Sequence, residues 1–253
     1  MDSTIQFLSI IIIILTLVLY VMGAAVLRRR REAFSMRAMP AYDALPMMIG
    51  AAIEANRPVH LSAGSTGLGT SDTLLSLATA ELFYRALQRA AISPSPPLLT
   101  TSDTTFIPLG HDILRRAYAS RQFLSRFRAT NVRWYPAGPR SLAFAAALTA
   151  NLGEERVGAN ILVGSFGPEL ALIAEAAVRR GQPLIAASDQ LDGQAVAYAL
   201  ADQPLIGEEL FVAGAYLGTE AGQRSTALTL DVLRWGLIAL ILVLTVFAAA
   251  GGQ

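Results

Sequence analysis

The sequence predicts an α/β protein with a Rossmann-like, doubly wound and mainly parallel sheet, flanked by an N-terminal and a C-terminal transmembrane helix. Three observations support this prediction. Both ends of the chain are apolar, short apolar runs of strand length recur between them, and each run precedes a helix-length segment that is commonly rich in Ala and Leu. Strands that alternate with helices in this way form parallel sheets covered on both faces.

The first apolar run, residues 5–27, contains no charged residue. At about 1.5 Å per residue it can cross a hydrocarbon core of roughly 30 Å. Asp2 precedes the run and four arginines follow it at 28–31. A cleaved signal peptide instead has its positive charge before a shorter apolar region. Residues 1–27 are therefore predicted to be a retained transmembrane anchor.

The second apolar run, residues 235–250, is shorter and spans a bilayer only if Val232 and Leu233 join it. We predict that residues 229–253 form a second transmembrane helix; the alternatives are a tail packed on the domain and a helix lying in the membrane interface. Both runs carry arginine on the side that faces the middle of the chain. The positive-inside rule then predicts a two-pass protein of the cytoplasmic membrane with both termini outside.

Residues 28–56 are predicted to be a basic juxtamembrane linker with a short helix, which packs on the domain in preference to the membrane. The helix prediction rests on apolar residues at helical spacing, namely Leu45, Met48, Ile49, Ala52 and Ile53. Residues 57–228 are the predicted cytoplasmic α/β domain. Apolar runs predict strands at 58–64, 97–103, 132–138, 159–167 and 183–189. Helices are predicted at 72–91, 112–127, 140–153 and 169–181, and residues 209–218 are compatible with a sixth strand or a helix.

The composition excludes several kinds of chemistry. The chain has no cysteine, so disulfides, thiolate catalysis and Cys-ligated metal sites are excluded. Its 20 basic residues include no lysine, which excludes Schiff-base chemistry and the P-loop of Walker NTPases. The formal net charge is +1, so no overall field favours nucleic acid as a partner.

The loops that follow the predicted strands carry the candidate ligand-binding residues, because parallel sheets bind ligands at the carboxyl ends of their strands. Glycine lets a backbone approach a ligand, and free N–H groups at a helix N-terminus favour phosphate. The glycines give GxxGxG instead of the dinucleotide fingerprint GxGxxG. Tight turns and helix caps are the alternative interpretation. The candidates are Gly64, Ser65, Thr66, Gly67, Gly69, Thr70, Asp103, Gly164, Ser165 and Asp189.

A short pattern occurs in both halves of the predicted domain. GSTG at 64–67 is matched by GSFG at 164–167, and the Ser-Asp pair at 102–103 by a second pair at 188–189. Duplicated halves and chance are both open explanations. Duplication would place Gly64 and Gly164 near one another across the ligand crevice.

A basic patch lies in the middle of the chain, where residues 113–153 contain seven arginines and no acid. A solvated helix face is the preferred interpretation. If the patch binds a partner, anionic lipid or an acidic protein is favoured over nucleic acid beside a membrane. The patch comprises Arg115, Arg116, Arg121, Arg126 and Arg128.

Catalysis finds little support in the sequence. Only His60 and His111 can supply an imidazole. Ser165 lies in a Gly-Ser-Phe-Gly turn, which departs from the nucleophile elbow Gly-x-Ser-x-Gly because Gly164 directly precedes the serine. We therefore predict no catalytic residue and no metal site, and we disfavour an enzyme.

Three segments carry a family resemblance: RPVHLSAGSTGLGT, ANILVGSFGPELALIAEAAVRRG and PLIGEELFVAGAYLG. They resemble an uncharacterised prokaryotic family, a domain of unknown function carried by membrane-anchored proteins with a Rossmann-like α/β domain. The resemblance covers residues 45–220. It implies the fold and the membrane context, and it supplies no activity or catalytic residue.

Two functions of different classes follow from the sequence. The favoured one is a non-catalytic interaction or assembly module at the cytoplasmic membrane face, with the bilayer and a membrane protein or a second copy as partners. The alternative is a membrane-tethered protein that binds a nucleotide or another small phosphorylated ligand through residues 64–70, with or without catalysis. No cofactor can be named. The two differ in whether the N–H groups of residues 65–70 converge on an open cleft or side chains fill the crevice.

Overall fold

A computed structural model describes residues 37–69 and 71–218, together with residues 14, 16–18, 21, 235–238 and 241. Most of the two predicted transmembrane segments, and Thr70, lie outside the described residues. Among the described residues, no helix is long and apolar enough to cross a membrane. The two spans therefore stay a prediction. The chain divides into two compact units, and the one described below is Ala38–Ala213.

Six parallel strands form one sheet in the order β3-β2-β1-β4-β5-β6. This is the strand order of dinucleotide-binding sheets, in which the winding reverses between β1 and β4. The α/β class and the parallel sheet agree with the prediction. The strands are β1 (Val59–Gly64), β2 (Leu98–Thr101), β3 (Val132–Trp134), β4 (Ala159–Ser165), β5 (Leu184–Ser188) and β6 (Gln203–Leu205).

The apolar runs identify five of these strands because most of them are buried throughout. Every residue of β1, β2, β4 and β5 is buried, and strands covered on both faces show continuous apolar runs instead of alternation. The sequence does not predict β6, which has three residues, begins with Gln203 and is only partly buried at the sheet edge. Residues 209–218 form no strand; they lie in a 3-10 helix, Gly207–Val212, and a short α-helix.

In this unit α-helices connect or flank the strands. They are α1 (Pro40–Glu54), α2 (Thr73–Ala90), α3 (Phe106–Ser120), α4 (Leu142–Glu154), α5 (Leu170–Arg179) and α6 (Leu191–Leu200); a further short helix, α7 (Ala213–Leu217), begins at the last residue of the unit. Helix α1 buries one stripe of side chains, which is the pattern of a helix packed on the domain. The buried residues are Ala41, Tyr42, Leu45, Ile49 and Ala52.

Helix α3 departs most from its predicted bounds of 112–127. It begins earlier because Asp103 forms a turn: its carbonyl oxygen accepts a hydrogen bond from the backbone N–H of Phe106, and its carboxylate accepts one from Thr105. It ends earlier because Gln122 adopts a positive φ of 62°, which an α-helix does not continue through. The apolar pattern does not indicate where the helix ends, since apolar residues continue beyond its last turn.

Helices cover both faces of the sheet. On one face, α3 approaches β2 and β3 so closely that a Cβ at Gly110 would lie 3.2 Å from Leu99 and 3.1 Å from Val132. On the other face, side chains of α4 and α5 pack with Leu162 of β4 and Ala186 of β5 in one buried cluster. This double cover leaves the strand ends as the places where a ligand can approach the sheet.

Candidate functional site

The candidate site lies at the carboxyl ends of β1 and β4, where the winding of the sheet reverses. Gly64 at the end of β1 pairs with Ser165 at the end of β4, and a Cβ at Gly164 would lie 2.6 Å from the hydroxyl of Thr66. Gly64 and Gly164 therefore lie near one another. Adjacent parallel strands bring their ends together in any case, so this proximity does not decide between duplicated halves and chance.

Both glycines are required by the approach of two backbones. A Cβ at Gly164 would overlap the carbonyl oxygen of Ala63, and a Cβ at Gly64 would overlap the carbonyl oxygen of Ser165. Gly64 also has a φ of +62°, where side chains are disfavoured. In a nucleotide-binding loop the missing glycine side chain leaves room for the ligand. Here backbone carbonyl oxygens occupy that room.

The first residues of the loop after β1 hydrogen-bond to the strand ends. Ser65 donates its backbone N–H to the carbonyl oxygen of Ser165 at 2.9 Å, and Thr66 donates its backbone N–H to that of Ala63 at 3.3 Å. The Thr66 hydroxyl is fully buried; it donates to Ala63 at 2.6 Å and accepts the N–H of Ser165 at 2.7 Å. These donors face the protein interior.

Two further backbone N–H groups of this loop donate to threonine hydroxyls that lie at the start of α2 or just before α3. The backbone N–H of Leu68 donates to the hydroxyl of Thr105 at 2.8 Å. The backbone N–H of Gly69 donates to the hydroxyl of Thr73 at 3.0 Å. The N–H groups of residues 65, 66, 68 and 69 therefore do not converge on an open cleft.

Asp103 lies beside this loop and closes a turn. A Cβ at Gly67 would lie 2.5 Å from Oδ2 of Asp103, so the fold brings these two predicted residues together. Oδ1 accepts hydrogen bonds from the backbone N–H of Thr105 at 2.7 Å and from its hydroxyl at 2.6 Å. This is the turn chemistry of aspartate, which the sequence left open as the alternative to ligand binding.

The loop after β4 is occupied by residues that the sequence did not single out. Glu169 is 8% exposed, and its carboxylate accepts the backbone N–H of Gly167 at 2.9 Å. Gln190 donates from its side chain to the hydroxyl of Ser165 at 2.9 Å. The Ser188 hydroxyl donates to the carbonyl oxygen of Phe166 at 2.6 Å. The signal that could have identified Glu169 in the sequence is its position directly before a helix, where an acidic side chain is stabilising.

Acidic side chains accompany most of the helix starts at this edge. Asp72 precedes α2, Asp103 lies just before α3, Glu169 precedes α5 and Asp192 is in the first turn of α6. Asp189 is exposed beside them. Carboxylates stabilise the positive end of a helix dipole and oppose the approach of a phosphate to the same place. Helix α4 is the exception, since Arg140 precedes it.

His60 is fully buried in a chain of hydrogen bonds that crosses the sheet. The side chain of Gln182 donates to the carbonyl oxygen of Leu152 at 2.9 Å and accepts from Asn160 at 3.1 Å. Oδ1 of Asn160 must then accept from Nδ1 of His60, at 3.1 Å, and Nε2 accepts from the hydroxyl of Thr100, at 2.9 Å. The fixed carbonyl at one end thus places a proton on Nδ1, and in the neutral ring Nε2 is the acceptor for the Thr100 hydroxyl.

The environment of His60 lowers its pKa from 6.5 to about 4. Burial is the main cause, the hydrogen bond with Asn160 opposes it, and the charge of Arg133 adds to the lowering. The other histidine, His111, bonds the carbonyl oxygen of Ala129 at 3.1 Å. No described hydrogen bond joins either ring to Ser165, so the described contacts give this serine no activating base.

The basic patch lies at the surface of α3 and the following loop, and its five arginines are exposed. Three of them make contacts within the protein. Arg116 pairs with Asp112 at 2.9 Å, Arg121 donates to the carbonyl oxygen of Gln88 at 2.8 Å, and Arg126 stacks 4.5 Å from the ring centre of Phe123. Arg115 and Arg128 extend the exposed positive surface.

Comparison with known proteins identifies a family for this chain. A family model described as a domain of unknown function (DUF6754) matches residues 2–252. No curated protein and no solved structure matches the chain. Within the described ranges, no group of three or more His, Asp or Glu side chains is arranged to hold a metal ion.

Proposed function

The chain belongs to the DUF6754 family of unknown function, and we propose that it is a non-catalytic interaction or assembly module, held at the cytoplasmic face of a membrane by its terminal apolar segments. The family match agrees with the resemblance noted in the sequence. The membrane role, the partners and the absence of catalysis are the proposal.

One observation carries this function: the backbone N–H groups of residues 65, 66, 68 and 69, in the loop after β1, are already hydrogen-bonded within the protein. Phosphate sites in sheets of this strand order use free backbone N–H groups at the start of the following helix. Here a phosphate would have to displace the hydroxyls of Thr105 and Thr73 from Leu68 and Gly69. It would also approach the carboxylate of Asp103, which adjoins the same loop.

Membrane attachment rests on residues 5–27 and 235–250 and on the arginines beside them. The partners that fit this placement are the bilayer, a membrane protein or a second copy of the chain. The exposed arginines of the basic patch are suited to anionic lipid or to an acidic protein surface.

The predicted topology can be tested with single cysteines, because the natural chain has none. We expect that Ser3→Cys reacts with a membrane-impermeant maleimide in intact cells. Ser125→Cys, in the exposed loop after α3, should react only after the cells are lysed. Labelling of Ser125→Cys in intact cells would place the domain on the other side, and release of the chain by alkaline carbonate would argue against membrane spans.

The crevice can be tested by thermal unfolding of the full chain with nucleotides, dinucleotides and sugar phosphates, with and without Mg²⁺. A ligand that binds the folded state raises the melting temperature as its concentration increases. We expect no stabilisation that depends on the crevice, so Asp103→Ala and the unmodified chain should respond alike to every compound. A shift abolished by both Asp103→Ala and Gly67→Val would instead support the alternative function.

That alternative, a membrane-tethered protein that binds a phosphorylated ligand, keeps one observation in its favour. The strand order is that of dinucleotide-binding sheets, and Gly67 and Asp103 lie together at the position where such sheets bind their ligand. The thermal experiment distinguishes the two functions because only the alternative requires this crevice to be open.

A further inference from the structure

A second concave site lies at the amino-terminal edge of the sheet, opposite to the candidate crevice. It is a cavity of about 480 Å³, which is within the range of small-molecule sites. Pro58 precedes β1, Leu98 begins β2, Asn131 precedes β3 and Arg156 lies just before β4. The chain segments that enter four parallel strands therefore form its wall.

The lining of this cavity is positively charged. It contains Arg57, Arg133 and Arg156 with a single acid, Glu155. Arg133 pairs with Glu155 at 2.7 Å, and this pair holds the Arg133 guanidinium in place. Arg57 and Arg156 are exposed, and no described hydrogen bond or ion pair engages their guanidinium groups. The pairing leaves these two charges available to an anion.

Two of these arginines occupy positions where a helix dipole favours a positive charge. Arg57 and Arg156 follow the C-termini of α1 and α4, where cations interact favourably with the last carbonyl groups. Asn131 also lines the cavity. Its side-chain nitrogen has no hydrogen-bond partner in the described part of the chain, and it has almost no exposed surface, so a ligand in the cavity does not contact it in this conformation.

We propose that this cavity binds a phosphate monoester. Guanidinium groups match phosphate oxygens with paired N–H donors. A monoester carries close to two negative charges at neutral pH, which match the unpaired guanidinium groups of Arg57 and Arg156 in the lining. A carboxylate or a phosphodiester carries only one. The apolar rings of Pro58 and Pro97 face the organic part of the ligand.

The monoester has two sources, a soluble metabolite or the headgroup of a lipid such as phosphatidic acid. We expect calorimetric titration of the full chain in mild detergent to show saturable binding of phenyl phosphate or of short-chain phosphatidic acid. Phosphatidylcholine, a diester, should not bind. Arg57→Ala and Arg156→Ala should each weaken binding about tenfold or more. Arg57→Lys should retain part of the affinity, because it keeps the charge without the paired donors.

Two controls make the test specific to the cavity. Arg140→Ala removes an exposed arginine that precedes α4 at the carboxyl edge and lies outside the basic patch; it should leave the affinity unchanged, as should Asp103→Ala in the other crevice.

The outcomes separate the sources and can overturn the proposal. Binding of phenyl phosphate with the expected variant pattern assigns a soluble ligand, and binding of phosphatidic acid alone with that pattern assigns a lipid headgroup. The proposal is wrong if no probe saturates, or if Arg140→Ala weakens binding as much as Arg57→Ala does in chains with unchanged circular dichroism. Either result leaves the proposed function unaffected, because that function is argued from the loop after β1 at the carboxyl edge of the sheet.

Discussion

Replacing Gly164 with valine should lower the free energy of unfolding by more than about 3 kcal/mol, the largest effect that we expect from a single substitution. The new Cβ would overlap the carbonyl oxygen of Ala63 and lie 2.6 Å from the hydroxyl of Thr66. Both groups belong to the junction of β1 and β4 at the centre of the sheet, and a backbone carbonyl cannot rotate away as a side-chain end can. Urea unfolding of the full chain in detergent, followed by circular dichroism, measures the loss.

Gly50→Ala is the matched control for this substitution. Gly50 lies within α1, and a Cβ there would meet nothing within 4 Å. Alanine has the higher helix propensity, so the control should be neutral or more stable by up to about 1 kcal/mol. If the two variants unfolded at similar urea concentrations, the close approach of β1 and β4 would not be essential to the fold.

Lowering the pH from 6.5 towards 4 should destabilise the chain by about 3 kcal/mol through His60 alone. Its pKa is about 4 in the folded protein and 6.5 in an unfolded chain. Above pH 6.5 the ring is neutral in both states and costs nothing. Below that pH the unfolded state binds a proton that the folded state excludes, so stability falls until the pH reaches the folded pKa. The loss approaches about 1.4 kcal/mol per pH unit within this window.

Unfolding measured between pH 6.5 and 5 isolates this effect, since carboxylates titrate mainly at lower pH. His60→Gln should reduce the slope of stability against pH in this range, because it removes the titrating ring and keeps side-chain donors and acceptors. His111→Gln is the control for the loss of an imidazole as such. An unchanged slope in His60→Gln would show that His60 is not the group that excludes the proton.

The sequence singled out several residues of the candidate site but did not predict the groups that contact them. It placed Gly64 and Ser165 at strand ends, and the fold brings those ends together. It treated Asp103 as either a ligand-binding residue or a turn residue, and the carboxylate accepts hydrogen bonds from Thr105 in a turn. It passed over Glu169, whose partner Gly167 is a near neighbour, because an acid before a helix is too common to stand out.

The cavity at the amino-terminal edge of the sheet could not be predicted from the sequence. Arg57 and Arg156 are separated in the chain by three strands and the helices between them, and each has an ordinary role after a helix C-terminus. Only the sheet order brings the chain segments before β1, β2, β3 and β4 to one place. The unpaired donor of Asn131 has no sequence signature, because it is defined by the partners that are missing in the folded state.

By itself the sequence determined the alternation of strands and helices, the parallel α/β class and the exclusion of cysteine and lysine chemistry. Apolar periodicity, helix propensity and composition are local properties, so a linear reading recovers them. The tertiary structure alone decided whether the β1 loop is open, which way the His60 network is polarised and where the arginines meet. Those outcomes depend on contacts such as Ser165 with Thr66 and His60 with Asn160, residues 99 and 100 positions apart. Hydrogen-bond partners at such separations are set by the packing of the sheet and not by the neighbours of a residue in the chain.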